Sequence, residues 1–295
     1  MKKSLYVVLL AVFALGLAGC EETIDPFIED NRFYTVWGYL DTASNTQFIR
    51  IEALRRTLGL TDDGAIDAIV TTTAREDGNT VVWRDSLITF DDGSIGTVFY
   101  APFRPIPGWT YDLVIERSDG ARSEAFTTVP PAPGVQIEDP RIVVTSVTQD
   151  ITWPSVDAEP FRVEVWYRFL GNSPRDPFTE AVVVYDEDEF GEFVDGGWRV
   201  RVDFIEDRFD VAEILGVAED TRLPLLGVGV RLTMTDDAWR PPGGVFDPEI
   251  LVQPGTFSNV NNGFGFFGAV NQYTTEWTLT ETITERIGYG VPRKR

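Results

Sequence analysis

Short apolar stretches whose side chains alternate between two faces of the backbone recur along this chain, and they constrain its fold more than any other feature. From Phe33 onward the first of them read FYTVWGYL, QFIRIEAL and IDAIVTTTA, separated by clusters of Asn, Asp or Gly. A period of two with turn residues between the runs is typical of β-strands. Eight Trp, nine Tyr and twenty Phe add the aromatic bulk that strands favour. The sequence therefore predicts an all-β fold.

The segment from Pro105 to Ile115 indicates which kind of β fold the first part adopts. A Pro-Gly turn leads into an alternating strand with Tyr111 near its start, a pattern similar to the tyrosine corner of immunoglobulin and fibronectin type III sandwiches. A Ser-Asp-Gly turn and the strand from Ala121 to Val129 then complete a hairpin. We expect residues 33–129 to form one immunoglobulin/fibronectin-like sandwich of about seven strands.

The proline-rich segment Pro130 to Gly134 predicts a boundary between two domains. Proline cannot continue a sheet ladder, and several prolines together favour an extended, stiff backbone. We assign residues 130–140 to this linker, residues 141–288 to a second, mainly β domain, and residues 289–295 to a tail.

The second domain contains the only helix that the sequence predicts. Alternation from Arg199 to Phe204 indicates a strand with one face in water. Asp210 has the character of an N-cap, and the apolar positions after it predict a helix that ends near Ala218. The expected architecture is therefore two β-sandwich-like domains in tandem, with one short helix in the second.

The first twenty residues have the layout of a bacterial lipoprotein signal. Lys2 and Lys3 precede an apolar core from Leu5 to Leu17, which at 13 residues is shorter than the roughly 20 that a membrane span needs. The run that ends at Cys20, Leu-Ala-Gly-Cys, matches a lipobox, in which the cysteine is acylated before the chain is cut. We expect a signal peptide over 1–19, lipidation of Cys20 and a tether over 20–32 that holds the protein at a membrane. An ordinary secretory signal with a chance cysteine is the alternative.

Charge and missing residue types exclude several classes of function. The formal net charge is −22, and an acidic surface repels phosphate backbones, so we expect no nucleic-acid partner. Histidine is absent and Cys20 is the only cysteine, which leaves no Ser-His-Asp or Cys-His nucleophile and no metal site built from His or Cys. We therefore expect a protein that is not an enzyme and holds no cofactor. A glycoside hydrolase based on two carboxylates is the catalytic alternative.

The acidic run from Asp186 to Gly191 is the one candidate for a cation site. It places acids at the first and third positions and glycine at the sixth position of a calcium-type loop. Phe190 stands where a third oxygen ligand belongs, and Gly197 stands where the closing glutamate belongs. We favour a solvated hairpin tip and no metal, with calcium as the alternative.

A patch rich in glycine and phenylalanine, from Ser258 to Gly268, is the candidate contact element. Its glycines allow close backbone approach, so one interpretation is that the aromatic rings are buried under a loop. The other interpretation is an exposed contact surface for a partner protein or a sugar. The side chains that would make this contact are Asn259, Asn261, Asn262, Phe264, Phe266 and Phe267.

The lipobox, the strand that begins PG-W-T-Y, the linker T-T-V-P-P-A-P and the late Gly/Phe patch together resemble the Bacteroidota family of domains of unknown function numbered four-two-four-nine. The resemblance spans nearly the whole mature chain, although the stretch from Phe169 to Arg240 carries no matching motif. It implies a lipoprotein of the outer membrane, on its periplasmic or cell-surface face, near a TonB-dependent transporter. Glu21 and Glu22 are similar to a surface-export signal.

From the resemblance and the missing catalytic residues we expect a non-catalytic binding or assembly lipoprotein that works beside such a transporter. A carbohydrate-binding module and a purely structural envelope lipoprotein are the alternatives.

Overall fold

The computed structural model describes residues 31–54, 66–89, 95–154, 160–171, 175, 177–185, 192–194, 197–239 and 258–292. Within these ranges the chain forms seventeen strands and two α-helices, so the predicted all-β class is confirmed. No helix in this part of the chain combines the length and apolarity needed to cross a membrane.

The first eight strands are β1 (Tyr34–Asp41), β2 (Gln47–Ala53), β3 (Ile69–Ala74), β4 (Thr80–Val82), β5 (Arg84–Thr89), β6 (Ile95–Ala101), β7 (Thr110–Glu116) and β8 (Arg122–Thr128). The next strands are β9 (Gln136–Ile137), β10 (Arg141–Ile142), β11 (Val147–Pro154), β12 (Arg162–Leu170), β13 (Phe178–Tyr185), β14 (Glu192–Val194), β15 (Gly197–Asp203), β16 (Leu225–Thr235) and β17 (Gly263–Trp277). The helices are α1 (Phe204–Leu215) and α2 (Glu281–Arg286).

The strands form three sheets that enclose two hydrophobic cores. The largest sheet has the order β13-β12-β16-β17-β1-β2-β6-β5. A four-stranded sheet, β4-β3-β7-β8, covers the half that contains β1, β2 and β6 and encloses the first core. A sheet built on β10-β11-β15-β14, with β9 beside β11, covers its β13 end and encloses the second core. The chain is thus two β-sandwiches that share one eight-stranded sheet.

Strand β17 joins the two sandwiches. Its first half, Gly263 to Val270, pairs in parallel with β1, and its second half, Val270 to Trp277, pairs antiparallel with β16. A strand of fifteen residues spans about 50 Å, which is long enough to run through both sandwiches. The first sandwich therefore takes eight strands from residues 33–129 and a ninth from the far end of the chain.

The tyrosine corner that the sequence predicts is present. The Tyr111 hydroxyl accepts a hydrogen bond of 2.9 Å from the backbone N–H of Ile106, and the Tyr111 side chain is buried. Gly108 occupies the turn between them with φ of +83°, a conformation that favours glycine. This bond fixes the loop before β7 against the first core.

Polar side chains also lock the proline-rich segment at the junction of the sandwiches. The buried Thr42 hydroxyl donates to the Asn271 carbonyl oxygen (2.8 Å), and the Asn271 amide donates to the carbonyl of Pro130 (3.0 Å). Pro130 and Pro133 are buried. The start of the linker is therefore held by the shared strand.

Helix α1 confirms that the second domain contains a helix, but its predicted start at Asp210 is wrong. The helix begins at Phe204, and its N-cap is Asp203, whose carboxylate accepts from the backbone N–H groups of Ile205 and Glu206. Asp203 also ends strand β15, so the strand-like alternation before it hid the cap. Helix α2, capped by Thr280, is only six residues long and gave no periodic signal.

Candidate binding surface

The two hydrophobic cores lie on the same side of the shared strand. Phe267 and Ala269 of β17 point into the first core, and Trp277 packs against the second. Because successive side chains of a strand alternate between faces, the even-numbered residues of β17 point away from both cores. The eight-stranded sheet therefore has one continuous face that neither covering sheet occupies, which we call the outer face.

Three aromatic side chains stand side by side on the outer face of the first sandwich. Tyr39 of β1 is in register with Phe48 of β2, and Phe48 is in register with Tyr100 of β6. The ring centroids of Phe48 and Tyr100 are 6.4 Å apart. Tyr39 is 45% exposed and Phe48 is 57% exposed, so the rings form an accessible apolar strip rather than part of a core.

Trp239 extends this strip across β17. Its ring lies 5.1 Å from the ring of Tyr39 and 5.1 Å from the ring of Phe266, measured between centroids. Gly268 lies opposite Tyr39, and a Cβ atom there would come within 2.3 Å of the Phe266 ring and 2.8 Å of the Trp239 indole nitrogen. The glycine therefore leaves the space that the rings of Phe266 and Trp239 fill. We call Trp239, Tyr39, Phe48 and Tyr100 the aromatic row.

A second apolar patch lies on the outer face of the second sandwich. Leu170 of β12 is in register with Phe178 of β13, and both side chains are exposed, as is Val184. The guanidinium of Arg168 lies 4.6 Å from the ring centroid of Trp166 and 5.0 Å from that of Phe178. We call Leu170, Phe178 and Val184 the second patch.

Charges on the outer face balance, although the chain as a whole is strongly acidic. At the outward positions of the described strands, the arginines are Arg50, Arg84, Arg162, Arg168 and Arg231, and the acids are Asp41, Glu52, Glu164, Glu180 and Glu276. Five of each give a net charge of zero at these described strand positions, whereas the full sequence has a formal net charge of −22.

The four glutamates of this face all form ion pairs. Glu164 pairs with Arg162 (2.9 Å) and Arg231 (3.1 Å), and Arg168 pairs with Glu180 (2.8 Å) and Glu276 (2.9 Å). Glu52 pairs with Arg50. Each glutamate at these outward positions is therefore matched by an arginine.

The structure buries two of the predicted contact residues in the Gly/Phe patch. Phe266 packs under Trp239 and is 2% exposed, and Phe267 is fully buried in the first core. Phe264 is partly buried, and the guanidinium of Arg32 lies 4.2 Å from its ring centroid. The contact interpretation is therefore wrong for Phe266 and Phe267, because Trp239 covers Phe266 on the outer side of β17 and Phe267 faces the first core.

The three asparagines before β17 have structural roles. The Asn259 side-chain amide donates to the Phe267 carbonyl (2.6 Å) and accepts from the Phe267 N–H (2.9 Å), so it pairs with the strand edge as a backbone unit would. Asn261 forms a backbone bridge to Glu124. Asn262 adopts φ of +51°, and its amide donates to the Arg122 carbonyl. Only Asn261 and Asn262 are well exposed.

Two other predicted sites fall outside the described residues. These are the lipidation site at Cys20 and the acidic run from Asp186 to Gly191. Within the described ranges, no group of three or more acidic side chains lies close enough to hold a metal ion.

The most strongly perturbed carboxylate in the described part belongs to Asp207 of α1. Its two oxygens accept hydrogen bonds from the hydroxyls of Tyr167 and Tyr185, the second at 2.6 Å. Burial raises the Asp207 pKa to about 7, against the lowering effect of the two tyrosine hydrogen bonds. The hydroxyl of Tyr289 is also buried nearby, and burial and the Asp207 charge raise its pKa. This cluster anchors α1 to the second core.

A second raised carboxylate lies between the sandwiches. Asp236 follows β16 and accepts a hydrogen bond from the Thr127 hydroxyl of β8. Burial raises the Asp236 pKa to about 6. The two carboxylates with raised pKa values thus belong to different structural networks.

A small pocket of about 110 Å³ lies beside the tyrosine corner, and among its lining residues Asp77 is the one carboxylate.

Comparisons with known proteins add nothing to the functional assignment. No family model matches the chain, and no curated protein matches it. Among solved structures it is similar to a pullulanase from Anoxybacillus sp. LM18-11, at 12% identity and a TM-score of 0.22, over 67% of this chain and 24% of that one. It is also similar to the FN1-FN3 domains of chicken CNTN1, at 10% identity and a TM-score of 0.27, over 83% of this chain and 66% of that one. Similarities this low carry no argument about function.

The aromatic row was missed at the level of sequence, although part of its signal was present. Tyr39 and Phe48 alternate with the buried Leu40 and Ile49, so the strand period alone places them on the outer side. The register that aligns Tyr39, Phe48 and Tyr100 depends on pairing between strands, and Trp239 joins them from a distant segment. That alignment requires the fold.

Proposed function

We propose that this protein is a non-catalytic, membrane-tethered binding or assembly module that acts through the outer face of its shared sheet. The observation that carries the proposal is that the aromatic row, with Tyr39 and Phe48 exposed, and the second patch lie on one face whose outward strand positions carry no net charge. Large contiguous apolar patches are rare on the surfaces of soluble proteins, and those that are present commonly mark interaction sites. An open sheet face also suits a broad contact rather than a small substrate.

The proposed membrane location rests on the first twenty residues. The lipobox ending at Cys20 supports anchoring by a lipid, and the family resemblance supports the outer membrane and a TonB-dependent transporter as the neighbouring partner. Strand β17 joins the two sandwiches through continuous pairing. This pairing holds the second sandwich at a fixed position relative to the first.

The chemistry of the described residues supports a non-catalytic role. Asp207 and Asp236, whose pKa values are raised by burial, accept hydrogen bonds from tyrosine and threonine hydroxyls within the packed structure. A hydrolase based on two carboxylates needs both of them to face a substrate cleft. These two side chains instead stabilise α1 and the junction of the sandwiches.

We propose that the second patch makes the protein contact. Affinity purification of the lipidated chain from solubilised membranes tests this, with Phe178→Asp as the disrupting variant. Phe126→Asp is the matched control, since Phe126 is similarly exposed on the opposite sheet. We expect an integral β-barrel transporter to co-purify with the wild type and the control, and to be lost from Phe178→Asp. Equal recovery with both variants, or no co-purifying barrel with the wild type, would contradict the proposal.

A further inference from the structure

We infer that the aromatic row docks on a lipid surface, namely the headgroup region of the membrane that carries the proposed lipid anchor. The inference rests on the proposed function for the tether, and it assigns a role to a part of the outer face that the transporter contact leaves unused. Three properties favour lipid over a protein or a sugar as the ligand of the aromatic row: the length of the tether, the chemistry of the rings and the charge of the face around them.

The tether limits how far the first sandwich lies from the membrane. Twelve residues separate Cys20 from Phe33, which directly precedes β1. At no more than about 3.6 Å per residue, the thirteen steps along the chain hold Phe33 within about 47 Å of the lipid anchor. Tyr39 lies six residues beyond Phe33, or about 20 Å. The aromatic row is therefore within reach of the bilayer surface to which the chain is tied.

The rings in the row have the chemistry of the membrane interface. Tyrosine and tryptophan carry an apolar body and a polar group, and they concentrate at the depth of the lipid headgroups. Tyr39, Tyr100 and Trp239 are of this kind, and they flank Phe48, the most exposed ring of the row. The hydroxyl groups of Tyr39 and Tyr100 can remain hydrated while the ring of Phe48 enters the apolar layer, and the buried indole nitrogen of Trp239 stays within the protein.

Charge favours approach by this face. The charged residues at the outward positions of the described strands sum to zero, and ion pairs hold their glutamates. A charged surface more than one Debye length away, about 8 Å at physiological salt, is largely screened. Charges that lie farther than this from the docked strands therefore add little repulsion from lipid phosphates. A contact of this type depends on ring burial and changes little with salt.

Vesicle binding by the mature chain that begins at Glu21, made without the lipid, tests the inference independently of lipidation. The probe is phosphatidylcholine vesicles at millimolar lipid. Phe48→Ala is the test variant, and Phe126→Ala is the control because the exposed fractions of Phe48 and Phe126 are 57% and 56%. We expect wild type and control to bind equally, and Phe48→Ala to lower the partition coefficient about tenfold. Thermal melting of each variant checks that it is folded.

Three outcomes would overturn the inference. The first is no binding of the folded wild type to vesicles, and the second is an equal loss of binding with Phe48→Ala and Phe126→Ala. The third is binding that disappears as salt is raised, which would indicate an ionic contact instead of ring burial. A lipidation failure does not affect this experiment, because the protein used carries no lipid. If this lipid-free protein does not bind vesicles while Cys20 of the full protein is acylated in cells, the inference is wrong but the proposed membrane location is retained.

Discussion

Tyr39 of β1 lies directly opposite Gly268 of β17, and the missing side chain of this glycine leaves the space in which Trp239 packs against Phe266. This contact brings together three segments that are far apart in sequence. It connects the shared strand to the outer face on which the proposed function depends.

We expect Gly268→Val to displace Trp239 and destabilise the protein. The added methyl groups have no room, and overpacking of this kind costs about 1–3 kcal/mol of the free energy of unfolding. Chemical denaturation measures the change. Gly134→Val is the control, since a Cβ atom there meets nothing within 4 Å. A stable Gly268→Val with unchanged tryptophan fluorescence would show that Trp239 does not depend on this glycine.

Much of the fold follows from the sequence because its signals are local. The alternation in β1 and β2 and the turn before Tyr111 act over a few residues, and the structure confirms both. The shared strand could not be predicted in this way, because the parallel pairing of β1 with β17 joins segments more than two hundred residues apart. Phe266 was ambiguous for the same reason. Its burial depends on Trp239, which reaches it only in the folded chain.

We expect Asn271→Ala to weaken the junction of the two sandwiches. The substitution removes the acceptor of the Thr42 hydroxyl proton and the donor to the Pro130 carbonyl, although the Thr42 oxygen still accepts from the Gln272 N–H. An unsatisfied buried polar group costs about 1–3 kcal/mol. Denaturation with urea measures the loss, and hydrogen exchange locates it at residues around Pro130. Asn261→Ala is the control, because Asn261 is exposed and bridges Glu124 through its backbone. Equal stability of the two variants would contradict the structural role of Asn271.

We expect Asp207→Asn to change how stability depends on pH. The pKa of Asp207 is raised to about 7 in the folded protein, so the folded state binds this proton more tightly than the unfolded state. The stabilising contribution of the proton is fully present below the unfolded pKa of about 4 and is lost as the pH rises through about 7. Across that interval the loss amounts to roughly 1.4 kcal/mol for each pH unit. The wild type should therefore lose several kcal/mol relative to Asp207→Asn between pH 4 and pH 8.

Melting temperatures of both proteins across this pH range test the Asp207 prediction. The comparison cancels titration of Asp236 and of the surface acids, since both proteins share them. A difference between wild type and Asp207→Asn that stays constant from pH 4 to pH 8 would mean that Asp207 does not titrate in this range.

We expect Cys20 to carry a lipid. Cells grown with a clickable palmitate analogue should label the wild-type protein, and Cys20→Ala should remove the label, because Cys20 is the only cysteine in the chain. Intact mass of the purified wild type gives a second readout, since acylation adds the mass of the fatty chains. An unlabelled wild type that has lost its first residues would identify an ordinary secretory signal instead.

Crosslinking in living cells tests the central claim, that the outer face is the surface through which this protein binds. A photoreactive amino acid is placed at position 48, at position 178 or, as the control, at position 126 on the opposite sheet. We predict lipid adducts from position 48, adducts with an integral membrane protein from position 178, and neither from position 126. Adducts from position 126 with none from positions 48 and 178 would contradict the account.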